Sequence, residues 1–311
     1  MKLLFLFFAV FLSFLLTSCC KNCFLSRGEI SWAKTTEVNK IQTTEIHDGD
    51  KYVEITSEYN GTLKKFTLDN VNIFIPQNND MILKDIESGK NIRVIKQEGY
   101  KSNDRNIVLI DSILDNGLKF HKLYMMNLEP GDLLISRKIE NGMTENRAIS
   151  LIQTLSVKPG GYLIIPLSMI SRYQSRFITY DDSGKIEYVP VTTGSKIVNE
   201  RLIFSTKGEN ITLRSDASDG WFGYVLDDKM LLVKYSLQNY KKTDNPLIFT
   251  AKITQDKIDF SFGETIKTIT VDNPLESSER LILVNLDEKV QSVHDVENVM
   301  KYIKIPLILV R

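Results

Sequence analysis

Residues 106–140 read NIVLIDSILDNGLKFHKLYMMNLEPGDLLISRKIE and decide the fold class. Three runs rich in Val, Ile, Leu, Phe and Tyr, at 106–113, 118–126 and 132–140, are separated by segments that contain Asp, Asn, Gly and Pro. Such runs favour strands, and the Asp115-Asn116-Gly117 segment supplies residues that tolerate the backbone of a hairpin turn. The stretch therefore predicts antiparallel strands joined by hairpins.

The same pattern continues on both sides of this stretch. Further strands are predicted at 51–57, 63–68, 91–96, 147–155, 162–166, 185–190, 201–205, 210–214, 221–226, 229–236, 247–253, 257–263, 266–271 and 280–285. One helix is predicted from about Asp287 to Tyr302, where Val and Met recur at near-helical spacing. Roughly seventeen to twenty strands exceed an immunoglobulin-size sandwich. The sequence thus predicts an all-β fold, an extended antiparallel double sheet with one C-terminal helix.

The composition narrows the classes of function. The 311 residues carry 39 basic and 39 acidic side chains, so no positive excess is available to neutralise nucleic-acid phosphates. A hydrophobic content of 42% provides a substantial core. No linker and no repeat period interrupts the chain, which favours one large β domain. Nucleic acid is not an expected partner, and the oligomeric state is left open.

The N-terminus has the features of an export signal. Lys2 precedes an uncharged run over residues 3–16, which is shorter than the roughly 20 apolar residues of a membrane span. The run ends in Leu16-Thr17-Ser18-Cys19, which resembles the lipobox of bacterial lipoproteins. The resemblance implies a signal peptide at 1–18 and lipidation of Cys19. The polar stretch that follows predicts a tether at 19–39, and the strand pattern after it predicts a single domain at 40–311. A plain cleaved export signal with an incidental Cys-Cys pair is the alternative.

The lipobox also implies a location. A lipid at Cys19 would hold the protein on a membrane of the bacterial cell envelope, and the absence of Asp directly after it favours the outer membrane over the inner. Cys20 and Cys23 lie beside this anchor. An exported protein permits a disulfide, but neither a redox helix nor a four-ligand zinc pattern accompanies the pair, whose role is left open.

The three histidines are scattered and indicate no metal site. His121 lies in a predicted strand and is the best candidate for an acid, although a structural role is the alternative. His47 and His294 are interpreted as structural or solvent-exposed. Signatures of serine hydrolases, nucleotide-binding loops and zinc proteases do not occur, so no cofactor is expected.

Two groups of residues have the chemistry of a sugar site. Asp259 and Ser261 alternate with apolar residues and so share one strand face, either a binding cleft or solvated surface, and Glu264 follows them. The second group combines a cation at Arg214, a carboxylate at Asp219 and an aromatic plate at Trp221. An aromatic ring can cover the C–H side of a pyranose while charged groups bond its hydroxyls. Trp221 as a core residue is the alternative.

Three segments resemble the galactose mutarotase-like superfamily. The order and spacing of the segments carry the resemblance, which spans about residues 117–271. The segments are Gly117-Leu118-Lys119-Phe120 with Asp132-Leu133-Leu134-Ile135, 149–155 and Lys158-Pro159-Gly160-Gly161; Asp219-Gly220-Trp221-Phe222-Gly223-Tyr224 with Leu231-Leu232-Val233-Lys234-Tyr235; and Ile258-Asp259-Phe260-Ser261-Phe262.

The resemblance implies a β-supersandwich whose concave face binds carbohydrate. Mutarotases open and reclose an aldose ring with a glutamate and a histidine as base and acid. Here the family's Asn-His-x-x-Phe-Asn motif is missing, and the glutamate position falls on Asp259 or Ser261. The expectation is a non-catalytic, lipid-anchored carbohydrate-binding protein. The alternatives are an aldose epimerase-like enzyme that uses His121 with Asp259 or Glu264, and a structural or adhesive surface lipoprotein.

Overall fold

The structure is a computed structural model. It describes residues 32–77, 80–103, 106–126, 132–142, 145–169, 171, 173, 175–181, 183–184, 186–187, 194–216, 219–235, 249–300 and 303. Cys19, Cys20 and Cys23 lie outside the described residues. Twenty-two strands form three antiparallel sheets within the described part, so the predicted all-β class is confirmed.

The largest sheet has ten strands, in the order β15-β16-β12-β18-β19-β22-β10-β9-β8-β7. Its strands are β7 (Val94–Asn103), β8 (Ile107–Leu114), β9 (Lys119–Met126), β10 (Leu133–Glu140), β12 (Tyr162–Pro166), β15 (Ser195–Val198), β16 (Arg201–Ser205), β18 (Trp221–Leu226), β19 (Lys229–Tyr235) and β22 (Leu275–Asn285).

A seven-stranded sheet faces it, in the order β14-β13-β17-β20-β21-β11-β6, and a five-stranded sheet runs β1-β2-β3-β4-β5. The seven-stranded sheet contains β6 (Met81–Asp85), β11 (Arg147–Val157), β13 (Phe177–Tyr180), β14 (Ile186–Glu187), β17 (Ile211–Ser215), β20 (Phe249–Ile253) and β21 (Ile258–Ile269). The five-stranded sheet contains β1 (Trp32–Val38), β2 (Ile41–Asp48), β3 (Lys51–Thr56), β4 (Thr62–Leu68) and β5 (Val71–Asn72).

The three sheets share one core. Phe222 of the ten-stranded sheet contacts Phe249 and Phe260 of the seven-stranded sheet, with ring centroids 4.9 and 4.7 Å apart. Phe66 of the five-stranded sheet belongs to the same fully buried cluster. Burial of these side chains stabilises the sandwich by roughly 1.5–3 kcal/mol each, before entropy is counted. Strands β8, β9 and β10 bury every second residue, whereas β12 and β19 are buried along their whole length.

The α-helix of the described residues is shorter than predicted: α1 spans Val293–Val299. The chain before it is not helical, because the Val290 amide donates to the carbonyl of Asp227 in the β18–β19 turn. The helix then begins with a capping box between Ser292 and Asp295. Its apolar side packs on the outer face of the ten-stranded sheet.

Three further predictions need correction. Residues 32–38 of the predicted tether form β1, which pairs with β2 along its whole length. The separate strands predicted at 257–263 and 266–271 are one strand, β21, which continues through a bulge where Gly263 has a φ of +62°. The predicted strand at 280–285 is the second half of the longer β22. In the described chain no helix has the length and apolar character to cross a membrane.

Candidate functional site

Two rows of side chains cross the outer face of the seven-stranded sheet. Arg214 of β17 is the register partner of Thr250 in β20, which pairs with Ser261 in β21. The row ends at Thr154 of β11. Their strand neighbours, such as Phe260, are fully buried, so alternation directs the row away from the core.

The second row runs parallel to the first and is displaced from it by two residues along each strand. Thr212 pairs with Lys252, which pairs with Asp259, and Asp259 pairs with Ser156. We call the two rows together the polar face. It brings together three residues singled out in the sequence, Arg214, Ser261 and Asp259, and its other members share their strands or register. The members of the polar face are Thr154, Ser156, Thr212, Arg214, Thr250, Lys252, Asp259 and Ser261.

A hydrogen-bond chain organises one side of the polar face. The Thr154 hydroxyl donates to Gln77, Gln77 donates to Ser156, and Ser156 donates to the carboxylate of Asp259. The Asp259 carboxylate also pairs with Lys257 at 2.9 Å. Glu264, farther along β21, accepts from the hydroxyl of Ser150 at 2.9 Å. Both carboxylates are therefore held in place by neighbours.

The other side of the polar face carries an aromatic ring and two cations. The guanidinium carbon of Arg214 lies 5.1 Å from the centroid of the Tyr180 ring in β13. Lys252 is exposed in the neighbouring strand β20. Tyr180, Arg214 and Lys252 thus provide a ring face and several hydrogen-bond donors within one patch.

A small cavity of about 20 Å³ leads inward from the polar face. Gln77, Thr154 and Ser156 line it together with Asp80 and Glu279. A cavity of this size holds about one water molecule. It connects the polar face to a buried group of charges between the sheets.

That buried group is centred on Arg137, which is fully buried in β10. Its Nη2 donates to Glu279 at 2.8 Å and to Asp80 at 2.9 Å. Lys122 Nζ lies 2.6 Å from Asp80 and donates to the carbonyl of Gly61 at 2.6 Å. Two cations and two anions thus balance each other in the interior, as burial of charge requires.

The environment shifts the pKa values of these groups. Burial would raise the pKa of Asp80, but the charges of Lys122 and Arg137 outweigh it and hold that pKa at about 2. Burial lowers the pKa of Lys122 to about 8, against the attraction of Asp80. Burial raises the pKa of Glu279 despite the opposing charge of Arg137.

Trp221 does not join Arg214, contrary to the sequence prediction. The Trp221 side chain is 4% exposed and packs with α1 on the outer face of the ten-stranded sheet. Arg214 faces outward from the opposite sheet. Trp221 is therefore a core residue, as the alternative interpretation held. Asp219 is an exposed residue just before β18.

His121 also lies away from the polar face. Its neighbours Phe120 and Lys122 point into the core, so His121 faces outward from the ten-stranded sheet. Its Nδ1 is 2.7 Å from Asp111 and its Nε2 is 3.3 Å from Glu140. The predicted partnership of His121 with Asp259 or Glu264 is wrong, because those carboxylates face outward from the other sheet.

Metal ligands do not converge in the described chain. No group of three or more His, Cys, Asp or Glu side chains there could hold a metal ion. His47 contacts Tyr52 in the five-stranded sheet, and His294 is an exposed residue of α1.

Neither a protein-family profile nor a curated protein sequence matches this chain. Solved structures do match it. A putative aldose 1-epimerase from Escherichia coli K12 is 8% identical, with 79% of this chain and 100% of that chain covered and a TM-score of 0.52. A galactose mutarotase related enzyme from Lactobacillus acidophilus is 9% identical, with 80% and 100% covered and a TM-score of 0.50.

A third structure, the Slr1438 protein of Synechocystis sp. PCC 6803, is 11% identical, with 83% of this chain and 98% of that chain covered and a TM-score of 0.51. Identity at this level shows the fold alone. The length of the match and the sheet arrangement agree with the resemblance of residues 117–271. The chain therefore has the galactose mutarotase-like β-sandwich fold, closed by one short C-terminal helix.

Proposed function

We propose that this protein binds a saccharide on the polar face without catalysing its conversion, and that a lipid at Cys19 anchors it in the bacterial cell envelope. The observation that carries the binding proposal is the cross-strand register that places Arg214, Thr250, Ser261 and Thr154 in one outward row. Hydroxyls and a guanidinium at fixed spacing match the hydroxyl groups of a sugar ring. The putative aldose 1-epimerase and the mutarotase related enzyme share the fold.

The absence of catalysis is inferred from the state of the acid and base candidates. Ring opening needs one group that takes the anomeric proton and another that protonates the ring oxygen. Asp259 of the polar face is paired with Lys257 and accepts a hydrogen bond from Ser156, and Glu264, farther along β21, accepts one from Ser150. His121 faces outward from the other sheet. His121 therefore cannot share one sugar with Asp259 or Glu264.

Thermal unfolding of the purified chain with a panel of neutral and acidic monosaccharides tests the binding proposal. A sugar at about 100 times its dissociation constant should raise the free energy of unfolding by about 2.7 kcal/mol. A sugar that raises the stability of the protein is thereby identified as a ligand. Arg214→Ala should remove this stabilisation. If no sugar on the panel stabilises the protein, the binding proposal is rejected and a structural or adhesive role takes its place.

An aldose epimerase-like activity is the alternative. Polarimetry of freshly dissolved galactose and glucose distinguishes the two, because an epimerase accelerates the approach to anomeric equilibrium. We expect no acceleration by the wild type. Acceleration that is lost in His121→Ala would establish the alternative and would require a substrate on the outer face of the ten-stranded sheet.

The anchor is tested separately. Cys19→Ala should release the protein from the membrane fraction of a bacterial host and abolish incorporation of radiolabelled palmitate. Cys23→Ala is the matched control and should keep both. An outer-membrane location predicts that the wild type sediments with outer-membrane markers after density separation, and sedimentation with inner-membrane markers would contradict it.

A further inference from the structure

The five-stranded sheet carries a second row of outward side chains, independent of the polar face. His47 of β2 pairs in register with Tyr52 of β3, Tyr52 with Thr67 of β4, and Thr67 with Asn72 of β5. The residues that alternate with them, such as Val53 and Phe66, are fully buried in the core. The row therefore lies on the face turned away from the other sheets.

The aromatic members of this row are held in a fixed arrangement. The rings of His47 and Tyr52 meet edge to face, with centroids 4.8 Å apart and planes 64° apart. The Tyr52 hydroxyl donates to Glu54 at 2.9 Å, and Lys65 pairs with the same carboxylate at 3.2 Å. Lys65 Nζ also lies over the Tyr52 ring, 5.9 Å from its centroid. The contacts with His47, Glu54 and Lys65 thus orient the Tyr52 ring before any ligand arrives, and a sugar that stacks on the ring would meet the Lys65 ammonium as a hydrogen-bond donor.

An open cleft of about 540 Å³ lies over this row. This volume falls within the usual range of small-molecule sites, roughly 300–1,000 Å³. The cleft is lined by the row, by Lys65 and by two hairpin turns: His47, Gly49, Asp50, Lys51, Tyr52, Lys65, Thr67, Asp69, Asn70 and Asn72. Aromatic, hydroxyl, amide and charged groups all converge there.

The charges of the lining select the class of ligand. Lys51 and Lys65 are balanced by Asp50 and Asp69, so neither an anion such as a phosphate nor a cation is favoured by net charge. What the cleft offers is a ring for an apolar surface together with donors and acceptors for many hydroxyls. A neutral ligand with both properties in one ring is a pyranose.

We propose that this cleft is a second saccharide-binding site, which takes a neutral pyranose with its C–H face against Tyr52. The site lies on a different sheet from the polar face and shares no residue with it. The proposal therefore stands whether or not the polar face binds sugar. One long glycan could then bind at both sites of the same chain. Its overall affinity would exceed that of either site alone, because binding at one site raises the effective concentration of sugar at the other.

Calorimetric titration with maltotriose, cellotriose and galactose tests the proposal in an Arg214→Ala background, where the polar face is disabled. At least one probe should bind, and Tyr52→Ala should weaken that binding by about tenfold or more. Tyr59→Ala is the matched control, because Tyr59 is an exposed tyrosine in the short 3-10 turn between β3 and β4 and does not line the cleft. It should bind like the background protein.

Tyr52→Phe separates the ring from its hydroxyl. It keeps the aromatic face and loses only the bond to Glu54, so it should bind within about threefold of the background protein. Thermal melts show whether each variant is folded. The proposal is overturned if none of the three probes binds the Arg214→Ala protein, or if folded Tyr52→Ala binds them as tightly as the Tyr59→Ala control.

Discussion

Arg214 lies over the ring of Tyr180, with its guanidinium carbon 5.1 Å from the ring centroid, and among the described residues no carboxylate forms an ion pair with it. The ring limits where the guanidinium can lie, while the N–H groups stay available for an incoming ligand. A residue positioned in this way can donate to a sugar with less loss of side-chain entropy than a freely moving arginine.

Tyr180→Ala should therefore weaken saccharide binding at the polar face by about fivefold to tenfold, a loss of about 1 kcal/mol or slightly more. Tyr180→Phe keeps the ring and serves as the control, with affinity close to that of the wild type. Both are measured by calorimetric titration with the sugar that stabilises the protein. Equal affinity of the alanine and phenylalanine variants would show that the ring has no part in binding.

Trp221→Ala should destabilise the fold by about 3–5 kcal/mol, because it leaves a cavity between β18 and α1. Trp221→Phe should be milder, since the Trp221 ring nitrogen has no hydrogen-bond partner among the described residues. Urea unfolding measures both. At temperatures where the alanine variant is folded, its affinity for sugar at the polar face should equal that of the wild type. A selective loss of affinity would restore Trp221 as a binding residue.

Asp80→Asn tests the buried charges. The pKa of Asp80 is about 2 in the folded protein against an ordinary value of 3.8, so the carboxylate contributes stability above about pH 4 that is lost as the pH falls towards 2. At pH 7 the variant should be less stable than the wild type by about 3 kcal/mol, because Lys122 and Arg137 share one carboxylate fewer in the interior, where only that of Glu279 remains. That difference should narrow by about 2 kcal/mol between pH 5 and pH 2. A difference independent of pH would contradict the account.

Gly161→Ala should be among the most damaging single substitutions. A methyl group at Gly161 would lie 2.1 Å from the carbonyl oxygen of Val225 and 2.8 Å from the Tyr224 hydroxyl, so the backbone must move. The Gly161 amide also donates to that hydroxyl at 2.9 Å. We expect a loss of roughly 3 kcal/mol or more, measured by urea unfolding. Gly142→Ala is the control, because a methyl group there meets nothing within 4 Å.

The fold could be predicted because hydrophobic alternation and turn residues are local signals. The runs at 118–126 and 132–140 correspond to β9 and β10 almost residue for residue. The bulge at Gly263 could not be predicted, since a single glycine also fits a turn between two strands. The length of α1 depends on the hydrogen bond from the Val290 amide to the carbonyl of Asp227. Asp227 lies in a hairpin that is distant in sequence, so no local pattern could predict this contact.

The candidate site could be predicted only in part, for a related reason. Alternation identified Asp259 and Ser261 as one face of β21, but which strands lie beside it is set by long-range register. Arg214 and Trp221 are near in sequence and end on different sheets, because the chain crosses between them. Lys252 and Tyr180 belong to no sequence motif, so nothing in the sequence pointed to them. Asp80, Arg137 and Glu279 come from three separate strands or loops, and only the fold brings them together.

The most direct test of the central claim is a calorimetric titration of wild type, Arg214→Ala and Lys84→Ala with the stabilising sugar. Lys84 is an exposed residue of β6 in the same sheet and lies outside the polar face. Lys84→Ala therefore removes one positive charge from this sheet, as Arg214→Ala does, and serves as the matched control. The account predicts a loss of about tenfold or more in affinity for Arg214→Ala and no change for Lys84→Ala. Equal affinities of all three proteins would contradict saccharide binding at the polar face.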